Sequence, residues 1–110
     1  MKNLVYGESS WLVGDEAADA VLAYAVLMAK DGIADSVDVV VLGPDGNQET
    51  TTLVLGPATM IQAQTTRSQL AEPDNAALIE YVTSRVTRAQ LPAQPVDEVG
   101  LVGGAYDEVV

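Results

Sequence analysis

Between Asp19 and Lys30 the chain carries no charge, yet its residues recur at helical spacing. Ala18, Val21, Leu22, Ala25, Met28 and Ala29 stand three or four apart, as one face of a helix requires. Ala20, Ala23, Tyr24, Val26 and Leu27 fill the remaining faces. The ends are marked. Asp15, Glu16 and Asp19 place negative charge at the positive end of the helix dipole, Lys30 places positive charge at the other, and Gly32 is a natural stop. Asp15 is expected to cap the free amides of the first turn. A helix over residues 15–30 that is apolar all round must be covered all round. One side can lie on a sheet, and the other needs a second cover. Ala17, Val21, Ala25 and Ala29 form a small-residue ridge that would let a partner helix or sheet approach closely.

The rest of the chain supplies the sheet. Residues 2–6 and 10–13 are short strand-like runs around a turn at Gly7-Glu8-Ser9, predicting a hairpin. Residues 36–42 and 48–55 are β-rich and separated by the turn formers Gly43-Pro44-Asp45-Gly46-Asn47, predicting a second hairpin. Gly56-Pro57 breaks that run. Residues 58–64 then alternate Thr59, Ile61 and Ala63 against Met60, Gln62 and Gln64, as in a solvated or edge strand. Pro73-Asp74-Asn75 opens a second helix over about residues 74–90, with Ile79, Val82, Val86 and Ala89 as its apolar stripe, widened by Leu78. The order ββαβββα predicts an α+β two-layer sandwich, a mostly antiparallel sheet carrying both helices on one face. Residues 1–91 form the single domain. Residues 92–110, with Pro92, Pro95 and four acids but no base, are expected to be an acidic tail with little structure of its own. The triplets Asp97-Glu98-Val99 and Asp107-Glu108-Val109 could each add a strand to a sheet edge, in the same chain or in a neighbour.

Composition narrows the function. Among 110 residues there is no His and no Cys, so the side chains most used for proton transfer near neutral pH, thiolate chemistry and transition-metal ligation are missing. Sixteen acids against five bases give a net charge of −11, which repels phosphate backbones and anionic lipid. Neither nucleic acid nor membrane is therefore an expected partner. Ala20 to Ala29 is too short an apolar run to span a bilayer, and Met1-Lys2 is followed by no export-signal core, so a cytoplasmic protein is expected. With five aromatic residues and no Phe, the core must be built of Val, Leu, Ile, Ala and Met.

Candidate chemistry is sparse. Asp15, Glu16 and Asp19 share the first turns of a helix, a spacing that magnesium sites use, but Asp74 and Glu80 on the second helix are not co-facial. Capping and dipole complementarity account for all three acids. Asp31, Asp35 and Asp38, and the Asp45-Gly46-Asn47 turn, lack the ligand alternation of a calcium loop and read as turn chemistry. Ser9 and Ser10 have only Lys2 or Lys30 to serve as a base, and nothing in the sequence brings either close. Gly100 to Gly104 lacks the spacing of a dinucleotide fingerprint. Trp11 reads as a hydrophobic anchor against the second helix. No catalytic, cofactor or metal residue is assigned.

Three functions follow as expectations. The first is a non-catalytic protein-interaction module, homodimeric through the helix at 15–30. The second is an acidic inhibitor or immunity-type protein masking a basic partner surface. The third is a small magnesium-dependent enzyme or ligand-binding domain built on Asp15, Glu16 and Asp19.

Overall fold

The computed structural model describes residues 1–90; the acidic tail expected over residues 92–110, and its two Asp-Glu-Val triplets, lie outside the described residues. The elements are β1 (Lys2–Tyr6), β2 (Ser9–Val13), α1 (Asp15–Asp31), β3 (Asp35–Leu42), β4 (Gln48–Leu55), β5 (Ile61–Thr65) and α2 (Ala76–Gln90). This is the expected ββαβββα α+β order. The five strands form one sheet in the order β4-β3-β2-β1-β5, and every neighbouring pair is antiparallel.

Turn chemistry sets the two hairpins. Gly7 adopts φ 61° in a two-residue link that pairs Tyr6 with Ser9. Gly46 adopts φ 83°, and the Asp45 carboxylate accepts hydrogen bonds from the backbone and side-chain amides of Asn47 at 3.0 and 2.9 Å. β5 closes the sheet against β1, from Lys2↔Thr65 to Tyr6↔Ile61, and is an edge strand as its polar alternation predicts. It starts at Ile61 rather than residue 58. The Thr59 hydroxyl accepts from the Gly56 amide and donates to the Val54 carbonyl, so residues 56–59 turn on themselves before the strand begins.

One face of the sheet carries the core. Leu4, Val13, Val37, Val39, Val41, Leu53 and Leu55 pack with Ala17, Ala18, Val21, Tyr24, Ala25 and Met28 of α1 and Leu78 and Val82 of α2. Both helices therefore cover the same face. Trp11 lies opposite Leu4 and packs, partly buried, at the margin of this cluster. On the other face Ser36, Asp38, Thr52 and Val54 are exposed.

β2 pairs with β3 only at Leu12↔Leu42, because the chain leaves the sheet after Val13 to start α1. The inner edge of β3 thus lacks a strand neighbour. Asn75, buried just before α2, fills part of the gap. Its side-chain oxygen accepts from the Val40 amide and its side-chain nitrogen donates to the Val40 carbonyl, both at 2.8 Å. The side chain thereby does for Val40 what a neighbouring strand would do.

Two details of α1 differ from expectation. Its N-cap is Gly14, with no side-chain cap, and Asp15 instead points to the Met1 amine at 3.2 Å. Of the ridge Ala17, Val21, Ala25 and Ala29, the first three are buried in the core, so close approach is used within the molecule, and Ala29 is exposed. The stop at Gly32 is as expected: φ is 68°, and the following turn bonds back to Ala29 and Met28.

Candidate functional site

Tyr24 and Tyr81 come from different helices and end at one atom. Both hydroxyls donate to Asp35 Oδ2 at 2.5 Å, and the second oxygen of Asp35 accepts from the Ser36 amide. The rings meet edge to face with centroids 6.0 Å apart, and the Arg85 guanidinium lies 4.5 Å over the Tyr81 ring. These contacts tie α1, α2 and the start of β3 together. Burial, and then the hydrogen bond to Asp35, push the Tyr24 phenol well above its ordinary value. The two tyrosine hydroxyls, chiefly that of Tyr24, hold the Asp35 carboxyl below the usual carboxylate range. Asp35 and Asp38 are therefore not turn residues. Both sit on β3, where Asp38 accepts from the Thr52 hydroxyl on β4.

Above this junction the two helices leave a groove. Ala23, Val26, Leu27, Lys30 and Asp31 of α1 face Val86 and Ala89 of α2 across a hollow of about 460 Å³. A second hollow of about 190 Å³ continues it, sharing Leu27, Asp31 and Ala89 and adding Ile33, Arg85 and Arg88. Val26 and Ile33 are each 53% exposed. The α1 helix thus keeps an uncovered side, which includes only the last ridge residue, Ala29. Tyr24 is fully buried, Leu27 is half-buried, and Ala23, Val26 and Ala29 face solvent. The α2 stripe rises out of the core along its length: Leu78 and Val82 are buried, Val86 partly so, and Ala89 is exposed. Lys30, Arg85 and Arg88, three of the five basic residues in the chain, rim this one region.

The opposite end of α1 is acidic. Asp15, Glu16 and Asp19 are exposed, and the Glu72 carboxylate packs against Gly14. Asp19 holds Lys2 at 2.6 Å, which raises the Lys2 pKa. Among the described residues no three His, Cys, Asp or Glu side chains converge as metal ligands would. No described helix is long and apolar enough to cross a membrane. Family models, characterised proteins and solved structures yield no match to this chain.

The groove was only half visible in the sequence. Apolar residues on all faces of α1 require an extra cover, but which residues stay outside depends on where α2 docks. Asp35, Tyr81 and Arg85 carried a local signal only in the Tyr81–Arg85 spacing of four.

Proposed function

We propose that this chain is a non-catalytic protein-interaction module that works as a homodimer in the cytoplasm, with the groove between α1 and α2 as its contact face. The observation that carries the reading is the half-exposed Val26, set among Ala23, Leu27, Val86 and Ala89 on a rigid helix pair. Small side chains there allow another backbone close approach, and a symmetric pair would bury Val26 and Ile33 on both subunits. The junction of Asp35 with Tyr24 and Tyr81 fixes the two walls of the groove relative to each other, so little ordering cost remains on association. The partner is protein rather than nucleic acid or membrane, in keeping with a net charge of −11.

Light scattering tests this. The full chain is expected to have a dimer's mass at roughly 50 μM, and Val26→Glu to have a monomer's mass at the same concentration with an unchanged circular dichroism spectrum. A monomeric parent chain at that concentration removes the homodimer.

A second reading, the masking of a basic partner surface, draws on the acidic end of α1. Asp15 and Glu16 are exposed there beside Glu72. It predicts association with a basic partner that survives Val26→Glu and weakens steeply with salt.

A further inference from the structure

We infer that residues 97–110 of one subunit occupy the α1–α2 groove of a second copy, so that the dimer forms by exchange of acidic segments. This rests on the homodimer reading and names what fills its contact face. Three observations converge on it.

The first is charge. In a chain of net charge −11, Lys30, Arg85 and Arg88 are gathered along one groove, while Lys2 is engaged by Asp19. Lys30 and Arg88 lie in the last turns of their helices and also offset the negative helix ends, but Arg85 lies outside the last turn and stacks on Tyr81. Residues 97–110 carry Asp97, Glu98, Asp107 and Glu108 and no base. Asp31 also lines the groove and offsets one of these three charges; the remaining positive balance favours an acidic ligand, and this segment has the complementary sign.

The second is apolar content. Val99, Leu101, Val102, Tyr106, Val109 and Val110 alternate with the acids and glycines of the segment. The apolar lining of the groove is Ala23, Val26, Leu27, Val86 and Ala89, beside Lys30 and Asp31. An acidic and apolar segment matches both rim and floor.

The third is where the described chain ends. Ala89 lines the groove beside Lys30 and Asp31, one residue before Gln90, where the described chain ends. Pro92 and Pro95 favour extended backbone over residues 91–96. Six residues in extended form span about 19 Å, enough for the segment that follows to reach the groove of a second copy.

Sedimentation equilibrium on full-length chains tests the exchange. A tail variant carries Asp97→Asn, Glu98→Gln, Asp107→Asn and Glu108→Gln, and a groove variant carries Val26→Glu. Val26 is exposed, and circular dichroism checks that each variant folds as the parent does. Each alone is expected to self-associate at least about tenfold more weakly than the parent chain. Mixed one to one, they are expected to associate again, because the intact segment of the groove variant meets the intact groove of the tail variant. A tail variant that dimerises like the parent overturns the exchange while leaving the homodimer standing. A mixture no better associated than its two components also overturns it. A parent chain that stays monomeric removes both readings.

Discussion

The groups that fix this molecule are few and polar. Asp35 gathers the hydroxyls of Tyr24 and Tyr81 from two helices, and its carboxyl is held low by those bonds. A depressed folded-state pKa means that the stability Asp35 contributes is present above the unfolded value of about 3.9 and is lost as pH falls through the lower folded value. The expected outcome is a stability plateau from neutral pH to about pH 5 and a decline below about pH 4. Asp35→Asn keeps an acceptor but not the charge. It is expected to be less stable at neutral pH and to show a flatter acid limb, read by urea titration across pH. An acid limb identical to the parent's would contradict the assignment. None of this was legible in the sequence, where Asp35 follows the helix stop and resembles any polar residue entering a strand. Its partners lie 11 and 46 residues away, beyond the reach of local pattern.

At the scale of elements, local signals did most of the work. The β-branched run Val39-Val40-Val41, the glycines at positive φ and the Gly32 stop place strands, turns and the end of α1 close to where they stand. The errors come from contacts that local pattern does not show, such as the pairing of Asp15 with the Met1 amine. Thr59 delays β5 by closing a turn on Gly56, and Gly14 rather than Asp15 begins α1. Asn75 is the largest case. It opens α2, as the sequence indicated, but its side chain serves β3, 35 residues distant. Asn75→Leu keeps the volume and removes both bonds, leaving the Val40 amide and carbonyl without their side-chain partner at a half-buried position. The expected cost is about 2–4 kcal/mol in chemical denaturation. A loss below about 0.5 kcal/mol would mean that water replaces the side chain without penalty.

The molecule as a whole is a helix pair on one face of an antiparallel sheet, with its charge sorted along α1. Asp15, Glu16, Asp19 and Glu72 lie at one end, and Lys30, Arg85 and Arg88, with the single acid Asp31 among them, at the other, about 22 Å away along the helix. Net charge and helix patterning were readable in advance, but this sorting was not, because α2 brings Arg85 and Arg88 beside Lys30 only through tertiary packing. The same packing decides which apolar residues of α1 remain wet. The central claim is that those residues are where the protein meets its own kind. Amide chemical shifts followed through a dilution series test it most directly. On concentration, shifts are expected at Ala23, Val26, Leu27, Lys30, Val86 and Ala89, with Asn3, Ser10, Asp38 and Thr52 on the opposite sheet face unchanged. Spectra independent of concentration up to about 1 mM, or shifts confined to that sheet face, would contradict it.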